Sequence, residues 1–550
     1  MELARRPKDI AAAQSLTEDE RRFLASRTKS AVHSHVDRPP TEAERVYEQW
    51  LRRGATFPAD YARRDNAFER ENPRQYDALD KDNILKDHPE KYLLEQQPVR
   101  LSESPPDGLL PIPGTWVAKL VRHDRVTPAD HWQDVRHLCL QVQIEKKYFT
   151  EIYECSGHLT VVLWPKNYPE DVQDLIARMG WEADADTPLR LYGVPRGLYT
   201  DKRTATLRHL LTHNLDFTAV PKRSFIRDLV HFTQDEREKE RLGELTQPGN
   251  EQEFYDYTCR PRRTILELLH DFPGVKIPID RVLDLFPVIR GREFSVCNGG
   301  QSLKSAGADY VLSLELLVAL VEYKTIIRKP RQGLCSRYLK NLPIGTRLAV
   351  QIKPATGQRL IRGGASAERP LIAVATGTGI APIRAILEER DSYNHPGDAL
   401  LFFGCRNRAA DFHFQNEWPN YPKLKVYAAF SRDHIDPDPA TTATSPVPPD
   451  ALAESVGVVY GDAAAAAAIV QYDAHKNYVQ HLIRKHAHEV GKLMRRNPIV
   501  CVCGNAGKMP ISVRNAFLDA LVISGVVEDK VQAERWFASP ANLTFWQETW

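Results

Sequence analysis

Hydrophobic and polar positions follow different rhythms in successive parts of the 550-residue chain. Residues 1 to about 110 show almost no rhythm: they are rich in Arg, Glu, Asp and Pro and close on Pro105, Pro106, Pro111 and Pro113. Helical spacing at 17–30 and 41–53 predicts no more than a polar N-terminal arm, partly disordered, or a small helical cap. Too few aliphatic side chains are present there to build a core. From Thr115 the period becomes two, in Trp116-Val-Ala-Lys-Leu-Val, His137-Leu-Cys-Leu-Gln-Val-Gln-Ile and Leu159-Thr-Val-Val-Leu-Trp. Short alternating runs of this kind predict an antiparallel β-barrel. Helical spacing takes over between 179 and 285, as in Thr206-Leu-Arg-His-Leu-Leu and Thr264-Ile-Leu-Glu-Leu-Leu-His-Asp-Phe. Alternation returns at Arg292-Glu-Phe-Ser-Val and from Tyr310 to Tyr323. The pattern predicts a barrel over 111–178 and 286–365, interrupted by a helical insertion over 179–285.

The last part, 366–550, reads as an alternating β/α domain built on a parallel sheet. It opens on Pro370-Leu-Ile-Ala-Val-Ala-Thr, an apolar run suited to a strand buried on both faces. That run breaks at Gly377-Thr378-Gly379, and helical spacing starts at once in Ile383, Ile386 and Leu387, with Pro382 in the first turn. Strand, glycine turn and helix N-terminus together offer unpaired N–H groups and a positive dipole to an anion such as pyrophosphate. Taken alone, the same residues equally describe a tight connection without a ligand. A Pro/Ala/Thr-rich stretch at 433–474, with six consecutive alanines from Ala463 to Ala468, predicts a surface insertion without chemistry of its own.

Composition changes this picture only by exclusion. The 42% hydrophobic and 27% charged content is that of a globular protein, and a net charge of +2 does not call for nucleic acid. No apolar run reaches the length of a membrane span. The first 30 residues lack an apolar signal core, and eight cysteines spread over this length make no disulfide framework. Reduced thiols and a cytoplasmic location are the expectation.

Three further clusters carry candidate chemistry. Arg292, Phe294 and Ser295 set a guanidinium and a ring on one face of a strand and a hydroxyl on the other, suited to a phosphate and a flat ligand. Arg331-Gln-Gly333-Leu-Cys335-Ser336-Arg337 leads a basic glycine turn into a helix, another phosphate-binding arrangement. Ser431 and Arg432 follow a strand, and Lys476, Tyr478 and Gln480 open a later helix, where they could clamp a monophosphate. Singly, each is also satisfied by a solvated strand, a capped loop or a charged helix face. No cluster has metal-ligand spacing, so no metal is expected.

In order and position these motifs, from about Leu110 to Trp550, resemble the NADPH–flavin reductases, a family that includes the microsomal cytochrome reductase, nitric oxide synthase reductase halves and sulfite reductase flavoprotein. The similarity is greatest to the NADPH-dependent diflavin oxidoreductases of cytosolic iron–sulfur cluster assembly. It rests on Arg292-x-Phe294-Ser295, Gly333-x-Cys335-Ser336, Gly377-Thr-Gly-Ile-Ala-Pro382, Phe403-Gly-Cys405-Arg406-Asn407, Ser431-Arg432, Lys476-x-Tyr-Val-Gln480, Cys503-Gly-Asn-Ala506 and Glu548-Thr-Trp550. The resemblance implies a ferredoxin–NADP reductase-like fold with FAD and NADPH as cofactors. Arg292 would hold the FAD pyrophosphate, Phe294 would lie against the flavin, and Gly333, Cys335 and Ser336 would bind FAD phosphates. Gly377, Thr378 and Gly379 would cradle the NADPH pyrophosphate, with Pro382, Cys405 and Arg406 in the same nucleotide site. Ser431, Arg432, Lys476, Tyr478 and Gln480 would select the 2′-phosphate. Ser295, Cys503 and Glu548 would orient the reacting rings, and Trp550 would cover the flavin face until nicotinamide displaces it.

The chain departs from the family in three places. Tyr153-Glu-Cys-Ser-Gly157-His158 stands where relatives have Tyr-x-Pro-Gly-Asp, ahead of a recognisable Trp164-Pro165-Lys-Asn167. The stretch 433–474 separates Arg432 from Lys476. Residues 1–110 show no flavodoxin-like phosphate loop, so the FMN domain of full-length relatives is not recognised. The expected activity is hydride transfer from NADPH to FAD, then single electrons to a separate FMN domain or an anamorsin-like iron–sulfur protein. The alternative is a non-catalytic interaction protein that keeps the reductase fold and binds flavin poorly.

Overall fold

The computed structural model describes residues 109–153, 159–189, 191, 194–200, 205–307, 309–354, 360–361, 363–421, 423–432 and 478–550. These lie in one compact unit, Leu94–Trp550. The polar arm to residue 108, residues 154–158 of the altered turn at 153–158, the whole predicted insertion at 433–474 and Lys476 fall outside the described residues. Among the described residues, no helix is long and apolar enough to cross a membrane.

Six antiparallel strands build the first domain: β1 (Trp116–Arg125), β2 (Val135–Gln143), β3 (Leu159–Leu163), β4 (Arg292–Ser295), β5 (Val311–Ala319) and β8 (Arg347–Pro354). Their order is β4-β3-β8-β1-β2-β5, and a bridge from Val296 to Leu316 brings the two edges together. The sheet is thus a nearly closed barrel, whose interior is the inward half of each alternating run: Leu120, Leu138, Leu140, Val161, Leu314, Leu316 and Val350. A small hairpin, β6 (Glu322–Lys324) and β7 (Pro330–Gln332), precedes β8. Between β3 and β4 run the helices α2 (Pro169–Met179), α3 (Leu207–His213), α4 (Arg223–Leu229), α5 (Glu236–Thr246) and α6 (Ile265–Asp271), after a short α1 (Lys146–Tyr153). Their starts have local causes. Thr206 and Asp235 accept N-terminal N–H groups, and Thr264 with Glu267 forms a capping box.

The second domain is a five-stranded parallel sheet of order β11-β10-β9-β12-β13, with β9 (Leu371–Thr376), β10 (Ala399–Cys405), β11 (Leu424–Phe430), β12 (Ile499–Gly504) and β13 (Thr544–Thr549). Its inner strands β9, β10 and β12 are apolar on both faces, as a covered parallel sheet requires. Ile372, Val374, Leu400 and Phe402 face a layer formed by α9 (Val479–Lys485), α10 (Ala487–Met494), α11 (Met509–Ile523) and α12 (Lys530–Ala538). Ala373, Ala375, Leu401 and Phe403 face α8 (Ile380–Asp391) and, in the same buried cluster, barrel residues Val135, Cys297 and Leu317. The helix α7 (Leu334–Lys340) lies between hairpin and β8 in sequence.

A charged seam joins the domains. A bulge in β1 between Leu120 and Arg122 turns the next residues to the outer face of the barrel. Arg122 then lies beside Cys139, which lies beside Glu315, across three neighbouring strands. Glu315 accepts from Arg122 Nη2 at 3.0 Å and lies 3.1 Å from His137 Nε2. From the other domain, Arg384 on α8 reaches Glu315 at 3.2 Å, Glu388 at 2.8 Å and Glu417 at 2.6 Å, and donates to the Cys297 carbonyl at 2.8 Å. Gly300 permits the close approach, since a Cβ there would stand 2.8 Å from the Glu388 carbonyl.

Burial alone would raise the Glu315 carboxyl, but His137, Arg384 and Arg122 hold it down to about 2. A carboxylate held below its unfolded value stabilises the fold above that value and loses the contribution as pH falls towards about 2. In urea unfolding near neutral pH, Glu315→Gln is expected to cost about 3 kcal/mol. The gap from the parent is expected to narrow as pH falls from about 5 to about 3. A gap that stays constant would show that the charge of Glu315 does not hold the seam.

Candidate active site

The barrel contributes one side of the site through β4. Alternation along this strand puts Arg292 and Phe294 on one face and Ser295 on the other, with Ser295 in register with Thr160. Arg292 is exposed and donates to the Arg290 carbonyl at 2.8 Å, while Phe294 packs partly against the barrel core. The second basic cluster converges on the first. Burial pushes the Cys335 thiol up to about 12, and the neighbouring Arg292 charge opposes the rise. Gly333 stands at the start of α7, where no side chain caps the helix. Its N–H donates to the Val321 carbonyl at 3.0 Å, and the Val321 N–H donates to Ser336 Oγ at 2.8 Å. Glycine, thiol and hydroxyl are therefore held around one turn.

The parallel sheet contributes the other side at the carboxyl ends of its strands. The order β10-β9-β12 means that the chain leaves β9 to one side and later returns to the other, and ligands of open α/β sheets bind at such a reversal. Gly377 has φ +55° at this point, and the Gly377–Gly379 turn leads into α8 without a side-chain cap. A Cβ on Gly379 would stand 2.5 Å from the Cys503 carbonyl, and one on Gly504, at φ +134°, 2.1 Å from Thr376 Oγ1. Both glycines are needed for the ends of β9 and β12 to meet. Thr378 is half-buried and Pro382 is buried.

Further along the same edge, the Ser431 N–H donates to the Cys405 carbonyl at 3.0 Å and the Arg432 N–H to the Arg406 carbonyl at 2.9 Å. Tyr478 precedes α9, exposed and edge-on to His481. Gln480 is half-buried in the first turn of that helix. Gly404 lets α9 approach, because its built Cβ would already lie 3.0 Å from Val479 Cγ1.

The two sides touch at β4 and β13. Ser295 Oγ donates to Glu548 Oε1 at 2.5 Å, a bond from barrel to sheet. Glu548 on β13 is in register with Cys503 on β12. Burial raises the Glu548 carboxyl; the Ser295 hydrogen bond opposes this, and the Glu293 charge adds to it. Burial also raises the Cys503 thiol well above its ordinary value, with Cys501 and Glu548 pushing the same way. Cys503 therefore serves as an uncharged thiol. The Trp550 backbone is clamped, its N–H donating to the Gly504 carbonyl and its carbonyl accepting from the Ala506 N–H, both at 3.1 Å. Its indole is half exposed.

Sequence reading gave no role to Thr376, to Arg384 and its acidic partners, or to His137 beside Glu315. Thr376 Oγ1 accepts from the Asn505 N–H at 3.4 Å, beside the glycine turn. A metal was not expected from sequence spacing, yet His137, Cys297 and Glu315 bring three ligand-type atoms within 4.8 Å of one another. The guanidinium groups of Arg122 and Arg384 already hold Glu315, and their charge opposes a divalent ion there.

Comparison with known proteins agrees with this geometry. The FAD binding domain family matches residues 114–338, and the oxidoreductase NAD-binding domain family matches residues 373–444. Three curated relatives carry the name NADPH-dependent diflavin oxidoreductase 1. That of Gibberella zeae is 40% identical, over 82% of this chain and 68% of the relative. That of Schizosaccharomyces pombe is 35% identical, over 74% and 60%, and that of Danio rerio 32% identical, over 84% and 70%. The chain thus spans roughly two thirds of the length of these relatives. A barrel and a parallel sheet that match FAD- and NAD-binding domains, joined at a shared polar seam and similar to these relatives over about four fifths of the chain, show that the chain belongs to the NADPH-dependent diflavin oxidoreductase family.

Proposed function

We propose that the chain accepts a hydride from NADPH onto FAD at the seam and releases the two electrons singly to an FMN domain or to an anamorsin-like iron–sulfur protein in cytosolic iron–sulfur assembly. The observation that carries this reading is the Ser295–Glu548 hydrogen bond beside Cys503, where the barrel meets the sheet. A hydroxyl, a carboxyl of raised pKa and a neutral thiol converge there, with no other titratable role evident for them.

The residues present fit both cofactors. Arg292 and the uncapped Gly333 turn offer a guanidinium and backbone N–H groups for the FAD phosphates, and Phe294 offers an apolar ring beside them. The uncapped start of α8 offers the same to the dinucleotide pyrophosphate. When bound, FAD supplies the two-electron to one-electron exchange, and the protein supplies orientation and charge. Ser295 and Glu548 hold the ring edges in place, and Glu548 offsets positive charge as it develops on the nicotinamide. Cys503 fills the floor of the site without adding a charge. Arg406, Ser431, Arg432, Tyr478 and Gln480 hold the 2′-phosphate end, with Lys476 proposed to join them. The Trp550 indole, half exposed on a backbone bonded at both its N–H and its carbonyl, would swing from the flavin face.

Two measurements test the proposal. The purified chain, incubated with FAD and desalted, is expected to show a flavin spectrum that NADPH bleaches anaerobically at least about tenfold faster than NADH, as a site reading a phosphate by hydrogen bonds should discriminate. A chain that cannot be loaded with FAD would sink the enzyme reading and favour a binding role. Glu548→Gln is expected to keep the flavin while bleaching slows about tenfold to a hundredfold. The parent rate is expected to rise with pH through the raised Glu548 pKa, and the variant to lose that step. A variant with the parent's rate and profile would remove Glu548 from the chemistry.

A further inference from the structure

The loop joining β1 to β2 presents an indole to the nucleotide-binding domain. Trp132 is 52% exposed and takes no part in the barrel core. The loop is braced without it. Arg125 donates from Nε to the Thr127 carbonyl at 3.0 Å, and from Nη2 to those of Pro128 at 2.8 Å and His131 at 3.1 Å. Thr127 Oγ1 donates to the Gln133 carbonyl at 2.9 Å and accepts from the Val135 N–H at 3.1 Å. A bulky apolar ring held out by so firm a loop has a use outside the loop's own folding.

Its neighbour is Arg406, whose guanidinium carbon lies 3.6 Å from the ring centroid, a cation–π contact between the domains. The Arg406 backbone is fixed as well. Its N–H donates to the Asp411 carboxylate at 3.1 and 3.0 Å, and its carbonyl accepts from Arg432 at 2.9 Å. Burial lowers the Arg406 pKa and the Arg432 charge lowers it further, with Asp411 opposing. The two arginines thus stand at neighbouring strand ends, joined through their backbones, with the Arg432 charge acting on Arg406. Stacking engages only the flat face of Arg406, so the N–H donors around its edge remain available to an anion.

We propose that Trp132 is a specificity-determining residue for the dinucleotide, holding the Arg406 guanidinium flat beside Arg432 as a two-arginine seat for the NADPH 2′-phosphate. This rests on the nucleotide site described under the proposed function, and it makes that site a product of both domains. The 2′-phosphate is then bound against an element of the barrel as well as the sheet.

The test compares Trp132→Leu, which keeps bulk but loses the ring, with Trp132→Phe in the FAD-loaded full chain. Ferricyanide reduction is followed with NADPH and with NADH, and adenosine 2′,5′-bisphosphate serves as a probe with the 2′-phosphate but no nicotinamide. Trp132→Leu is expected to raise KM for NADPH and the inhibition constant of the probe by about 2- to 30-fold. The effect should fall on KM rather than kcat, be smaller for NADH, and be largely restored by Trp132→Phe. Equal losses with NADPH and NADH, or an unchanged inhibition constant, would overturn the role of Trp132. Arg432→Ala separates the two levels of inference. If it leaves the NADPH preference intact, the 2′-phosphate site itself is misplaced; if it abolishes the preference while Trp132→Leu does not, only the role of Trp132 falls.

Discussion

Arg384 constrains the rest of the molecule. Four residues beyond the start of α8, it is buried, bonded to the Cys297 carbonyl and paired with Glu315, Glu388 and Glu417, with the Phe414 ring 4.6 Å away. Taking a guanidinium out of water is costly unless its donors are satisfied. Here they are satisfied only when the barrel and the sheet are seated against each other. Cys297 lies two residues after Ser295, and Arg384 five residues after Gly379. One side chain therefore ties the flavin side of the site to the turn on the nucleotide side. The same interface carries the Ser295–Glu548 bond between barrel and sheet.

The chemistry of the seam follows from desolvation. Ser295, Cys503 and Glu548 sit where two packed domains meet, so burial raises the thiol and the carboxyl. The neutral thiol adds no charge there, and the carboxyl is held by the Ser295 hydroxyl. The turns at either side are simpler: glycine-led helix starts that no side chain caps. Ser295, Cys503 and Glu548, by contrast, come from three different strands, β4, β12 and β13.

Much of this was legible in the sequence because it depends on local rules. Period-two runs marked β1, β2, β3 and β5, helical spacing marked α3 and α6, and the apolar run before Gly377 marked β9 at the centre of its sheet. Of the two glycines that break that run, Gly379 does pack against Cys503 and Gly504 of β12, while Gly377 takes the positive φ of the turn. The charged seam was not legible. Arg122 faces Glu315 only because a bulge shifts the register of β1, and a period-two pattern carries no sign of which residue is skipped. His137 and Glu315 look like the outward residues of ordinary barrel strands until α8 covers them. Trp132 was missed for a similar reason: an isolated aromatic in a loop has no periodicity, and its partner Arg406 comes from the other domain.

The central claim is that the buried Arg384 network sets the distance across which hydride passes. The most direct measurement is the single-turnover bleaching rate of the FAD-loaded chain by saturating NADPH, compared between the parent and Arg384→Met, with nucleotide affinity measured alongside. A clamp that fixes reaction distance gives a rate lower by about tenfold or more with affinity little changed, because a misplacement on the order of 1 Å is costly to the chemical step. A variant that folds, binds both cofactors and bleaches at the parent rate would contradict the claim, and would leave Arg384 as a stabiliser of the interface alone.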